Sequence, residues 1–148
     1  MADLNRISPE RERELNQALE ALFYGFNAVI ARPDAMLAEQ GLSRVHHRIL
    51  YFVGRNPGLS VNDLLSTLGV TKQSLNRPMR QLAELGYVQA QPDAQDRRSK
   101  RLSLTKSGRA LETALSGDQR ARFARVFEQL GAKNEQAWRS VMEKLSER

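Results

Sequence analysis

Between Ser60 and Leu82 two short segments with helical apolar spacing flank a four-residue turn, and this layout constrains the fold more than any other feature. The first segment places Val61, Leu64, Leu65 and Leu68 on one face and opens with Ser60 three residues before Asp63, as a capping arrangement does. The second opens with Thr71 and is predicted to run to about Leu85, with Gly86 as its stop. Between them, Leu68-Gly69-Val70-Thr71 allows only a sharp reversal. Gly69 is free to adopt the left-handed conformation such a turn needs, and Val70 is expected to plug the angle between the helices. This is the arrangement of a helix-turn-helix.

The second of these helices divides by angle. At about 100° per residue, Leu75, Met79 and Leu82 share one face, predicted to be core. Gln73, Asn76, Arg77 and Arg80 cluster opposite. Amides and guanidinium groups suit base edges in the major groove, Gln or Asn to adenine and Arg to guanine. Thr71, Lys72 and Ser74 stand at the amino end, where hydroxyls, an ammonium and free backbone N–H groups can hold phosphates.

After Gly86 the apolar period shortens to two. Val88 and Ala90, then Leu102 and Leu104, alternate with polar neighbours and predict two strands around a long tip, Pro92 to Lys100. Arg97, Arg98, Lys100 and Arg101 crowd this tip. Such mutual repulsion is best tolerated when phosphates lie between the charges. Arg97, Arg98, Ser99 and Lys100 are therefore candidate DNA contacts, and Asp96 is expected to pair with an arginine and support the tip. Nine basic and three acidic residues lie between Thr71 and Arg109, whereas the rest of the chain carries fourteen of each. The entire net charge of +6 is concentrated there, the footprint of a polyanion-binding surface.

The flanks are helical. Ser8-Pro9-Glu10 is a helix start, followed by a stripe of Leu15, Leu19, Leu22, Phe26 and Val29. Pro33 predicts a break or kink, with a short helical piece from Asp34 to Gln40 stopping at Gly41. Ser43 opens a helix carrying Val45, Ile49, Leu50, Phe52 and Val53. Thr105 caps another that extends to Leu130, with Gly117 as a weak point, and Asn134 is expected to cap the last. That last helix sets Trp138, Val141, Met142 and Leu145 on one face. Together with Leu15, Leu19, Leu22 and Phe26 they form more apolar surface than so small a core can cover, which predicts a two-fold dimer joined through both chain ends. The expected organisation is a dimerisation region (1–41), a DNA-binding region (42–110) and further dimerisation helices (111–148). The fold class is mainly α with a small β-hairpin wing.

Other classes find little support. The chain has no cysteine, so disulfides, thiol redox sensing and thiolate metal sites are excluded. The histidines, His46 and His47, are adjacent rather than four apart and suit a shared metal poorly. No apolar run is long enough for a membrane span, and the polar amino terminus does not resemble a signal peptide, so a cytoplasmic location is expected. No nucleophile-base pair or metal cluster supports an enzyme, and no cofactor is expected.

Leu42-Ser43, the helix-turn-helix, Leu85-Gly86-Tyr87-Val88 and the stretch from Asp96-Arg97-Arg98 to Leu102-Ser103-Leu104-Thr105-Lys106-Ser107-Gly108 together resemble the multiple antibiotic resistance regulator (MarR) family. The resemblance covers about Leu42 to Leu111. It implies a winged helix-turn-helix regulator, in most cases a repressor, that binds pseudo-palindromic operators in double-stranded DNA as a homodimer. It further implies frequent release by a small, often phenolic, effector, and makes Arg98 the wing residue that enters the minor groove. His46, His47 and Tyr51, near where the family's pocket forms, become candidate effector contacts. Pro78 departs from the family pattern and predicts a kink in the recognition helix that would disturb Arg80. The alternative, a winged-helix protein-interaction module without specific DNA binding, has no reason to gather all the net charge on the recognition helix and wing.

Overall fold

The structure, a computed structural model, describes residues 6–147. Helix α1 (Pro9–Ala38) is capped by Ser8, whose side chain accepts from the Arg11 N–H. It is followed by α2 (Arg44–Arg55), β1 (Leu59–Ser60), α3 (Val61–Leu68), α4 (Lys72–Glu84), β2 (Val88–Pro92), β3 (Lys100–Leu104), α5 (Lys106–Leu130) and α6 (Ala132–Ser146). The core lies where α2, α3 and α4 meet the sheet. Ile49, Leu50, Leu64 and Leu82 have no measurable exposure there, and Leu37 of α1 and Leu115 of α5 close it from the side of the two long helices.

The break expected at Pro33 is absent: α1 continues through the proline to Ala38. The separate piece from Asp34 is the last turn of the same helix. Leu42 N–H bonds to Leu37 O and Gly41 N–H to Ala38 O, a Schellman-type ending with Gly41 at φ 71°. Pro33 removes one hydrogen bond and no more, and its ring is buried. Gly117 likewise leaves α5 uninterrupted. The last helix starts at Ala132, two residues before the predicted cap. Asn134 instead donates through Nδ2 to Leu130 O, at 2.8 Å, and satisfies a carbonyl at the end of α5.

The hairpin forms as predicted, with Val88 opposite Leu104 and Ala90 opposite Leu102. A third strand joins it. Leu59 and Ser60 pair antiparallel with Leu102 and Arg101, giving the order β1-β3-β2. Two residues carry no readable alternation, so only the neighbouring strand reveals β1.

Candidate nucleic-acid interface

Helix α4 begins at a dense cap. Thr71 Oγ1 accepts from Ser74 N–H at 3.1 Å, while Ser74 Oγ donates to Thr71 O at 2.9 Å. The Thr71 hydroxyl in turn donates to Ser74 Oγ. Both hydroxyl protons are thus used inside the cap. The free donors at this helix start are the Lys72 ammonium and the first backbone N–H groups.

The chain stays helical through Pro78, so Arg80 remains on α4. Lys72, Asn76 and Arg80, spaced four apart, line one groove between α4 and the wing. Arg98, Ser99 and Lys100 line its other wall, and the groove has a volume of about 490 Å³. Gln73 and Arg77 are exposed on the adjoining strip of α4. Leu75 and Leu82 are buried, and Met79, half-buried, packs against the same core while also bordering the groove. Val70, expected as a plug, is 36% exposed. The angle between α3 and α4 is set instead by Gly69 at φ 65°, with its N–H on Leu65 O.

The wing tip is held by two aspartates. Asp96 Oδ1 accepts the Arg98 backbone N–H at 3.0 Å, while the Arg98 guanidinium stands 3.6 Å from the same atom and is 95% exposed. Asp96 therefore shapes the backbone under Arg98 and leaves the guanidinium projecting. Asp93 accepts from Gln95 N–H at 3.0 Å and from both Nε and Nη2 of Arg101, at 3.0 and 2.7 Å. The turn bond and then the Arg101 bond hold its carboxyl below the usual carboxylate range. Arg101 also donates to Gly58 O, so this cation ties the wing to the β1 loop. Arg97 is exposed.

The stretch after the tip has a mechanical reading. Leu102 and Leu104 enter the core, and Thr105 caps α5 by accepting Gly108 N–H at 3.0 Å. The Thr105 and Ser107 hydroxyls both donate to Gly86 O. Gly108 lies so close to the β2 entry that a Cβ there would sit 2.0 Å from Tyr87 O. The glycine is needed for this contact, which seats the wing on α5.

This geometry has close parallels. The MarR family sequence profile matches residues 40–99. The HTH-type transcriptional regulator PetP of Rhodobacter capsulatus is 39% identical over 132 residues, 89% of this chain and 80% of PetP. The chain belongs to the MarR family. Within it, the HTH-type transcriptional repressor Rv2887 of Mycobacterium tuberculosis is 33% identical over 126 residues, 84% of this chain and 90% of that one. Its crystal structure with p-aminosalicylic acid superposes with a TM-score of 0.58, at 30% identity, covering 86% of this chain and 98% of that chain. Streptococcus pneumoniae FabT, crystallised with DNA, shares the fold with a TM-score of 0.79 at 20% identity, over 90% of this chain and 95% of FabT. This MarR-family chain is thus a helix-turn-helix transcriptional regulator.

In this regulator the adjacent histidines face opposite ways. His46 Nδ1 accepts Ser43 N–H at 3.0 Å, which puts the ring proton on Nε2, 2.8 Å from Gln81 Oε1 of α4. His46 lines neither of the two cavities that border α5. His47 Nε2 lies 3.0 Å from Ser116 Oγ of α5. Burial holds His47 below its ordinary pKa; Glu112 and Asp34 oppose this, and Arg48 adds to it. His47 and Tyr51 line a cavity of about 220 Å³ together with Phe26 and Ile30 of α1, Arg48 and Gln119. Tyr51 also borders a larger one, about 660 Å³, walled by Phe123, Phe127 and Trp138.

The chain ends carry the uncovered apolar surface. Leu19 is 67% exposed, Leu22 52%, Phe26 44% and Leu15 37% on α1, and Leu145 67%, Val141 54% and Trp138 41% on α6. Met142 is half-buried. Trp138 packs its ring 5.2 Å from Phe123 and 5.7 Å from Phe127, joining α6 to α5. No described helix is long and apolar enough to cross a membrane.

Proposed function

We propose that this regulator is a cytoplasmic homodimeric repressor that reads a pseudo-palindromic operator. The groove between α4 and the wing carries this reading, because Lys72, Asn76, Arg80, Arg98 and Lys100 converge on it from two elements. Asn76 and Arg80, with Gln73 and Arg77 beside them, read base edges in the major groove. Lys72, Ser99, Lys100 and Arg97 hold phosphates, helped by the amino end of α4 that Thr71 and Ser74 build. Arg98 enters the minor groove, where the potential is most negative. The ends, 1–41 and 111–148, join two copies through the Leu15–Phe26 stripe and the Trp138–Leu145 face, with 42–110 as the DNA-binding region. A small aromatic effector occupies the cavity at His47 and Tyr51. The bound p-aminosalicylic acid of Rv2887 supports this effector class. The chain acts by binding, with no catalysis.

Fluorescence anisotropy against random duplex and against a duplex selected from a random library, at two salt concentrations, tests the assignment. Gln73→Ala or Asn76→Ala is expected to cost about 1–3 kcal/mol on the selected duplex and almost nothing on random DNA. Lys72→Ala or Lys100→Ala should weaken both alike and reduce the salt slope by about one unit each. Equal losses on both duplexes for all four variants would refute the division between reading and positioning.

A further inference from the structure

Pro33 has no N–H, so the carbonyl of Val29, four residues earlier in α1, is left without its helical partner. Pro33 itself is almost fully enclosed and the carbonyl lies on the half-buried side of the helix, where an internal donor can replace water. The side chain of Gln119, from α5, fills the gap: its Nε2 donates to Val29 O at 3.4 Å. Next to Gln119, Asp118 pairs with Arg32, immediately before the proline, at 3.6 Å. The α1–α5 seam is therefore pinned where the proline leaves an acceptor in the interior of α1.

We propose that Pro33 and Gln119 form a latch, in which the proline creates the acceptor and Gln119 is the positioning residue that docks α1 on α5. Gln119 also lines both cavities beside the seam, so the residue that docks α1 borders the space next to it. Because α1 carries the proposed dimer stripe and α5 holds the wing base through Thr105 and Gly108, the latch lies between the two halves of the regulator.

The latch makes a claim that simple packing does not: with an N–H restored at residue 33, Gln119 is no longer needed. Hydrogen exchange of the α1 amides around Val29–Leu37 is measured by mass spectrometry on the full-length chain without ligand, in four forms. These are the natural chain, Gln119→Met, Pro33→Ala and the double variant. Gln119→Met should accelerate exchange about fivefold in the natural background, the equivalent of one hydrogen bond, and less than twofold alongside Pro33→Ala. Gln119→Glu, of the same shape but with a carboxylate facing the carbonyl, should behave likewise and more strongly. A single variant that fails to fold and is restored by Pro33→Ala supports the latch. Equal acceleration in both backgrounds, or a failure that Pro33→Ala does not restore, overturns it. No effector enters the experiment, so its result is separate from whether the cavity binds one.

Discussion

The wing with its base and the two chain ends are built on opposite terms. In the wing and its base a set of polar groups is satisfied internally: Asp93 and Asp96 hold the turn backbone, Arg101 bridges to Gly58, and Thr105 and Ser107 converge on Gly86 O. What projects into solvent there is positive charge, above all Arg98. At the ends, large side chains such as Leu19, Leu22, Val141 and Leu145 stay more than half exposed. One region is complete within a single chain and presents a surface for a charged partner. The other leaves its apolar surface for another apolar surface to cover. The contrast teaches that a chain's unmet needs, whether charge or hydrocarbon, indicate the chemistry of its partners.

The largest test breaks the internally complete region. Gly108→Val would force side-chain atoms into the Tyr87 carbonyl, and should cost about 3 kcal/mol or more, read from urea midpoints. An unchanged midpoint would show that the wing base yields easily. Next, Leu19→Asp on the exposed stripe should leave the monomer fold intact by circular dichroism while raising the dimer dissociation constant about a hundredfold in sedimentation. A stable monomer in the natural chain would remove the dimer and most of the repressor reading with it.

Two wing substitutions sharpen the comparison. Arg98→Ala should cost about 1–3 kcal/mol of operator affinity with almost no change in melting temperature. Asp96→Asn removes a negative charge near DNA, so electrostatics alone predicts tighter binding. The Asp96 bond to the Arg98 backbone predicts the reverse, a loss of about 1 kcal/mol, and tighter binding at every salt concentration would make Asp96 an ordinary loop residue.

The smallest effect is on pH. His47 titrates below its unfolded value of 6.5, so between the two the unfolded chain binds more protons. Its contribution to stability is complete above about pH 6.5 and declines as pH falls through that window. His47→Gln should flatten the urea midpoint across this range, and an unaltered pH profile would place the dependence on other groups.

Much of the interface was legible in the sequence because its signals are local. Thr71, Gly69, Gly86 and Thr105 act within a few residues of themselves, and their caps and turns formed as their chemistry dictates. Asp96 as the wing support was readable for the same reason, being two residues from Arg98. The missed functional residues lack such signals. Arg101 and Asp93 pair across the wing, eight residues apart, where nothing in the local pattern marks either as the other's partner. The different duties of His46 and His47 could not be told from an adjacent pair, since their partners are 35 and 69 residues away.

The sequence by itself determined the helix-turn-helix, the hairpin, the position of the positive charge and the apolar stripes, all of which follow from periodicity and short-range bonding. Tertiary structure alone decided that α1 and α4 run through their prolines, that Leu59 and Ser60 become a strand, and that Gln119 serves the Val29 carbonyl. A lost helical bond or a two-residue strand is a deficit of only about a hydrogen bond or two, and its outcome depends on which distant group can supply the partner.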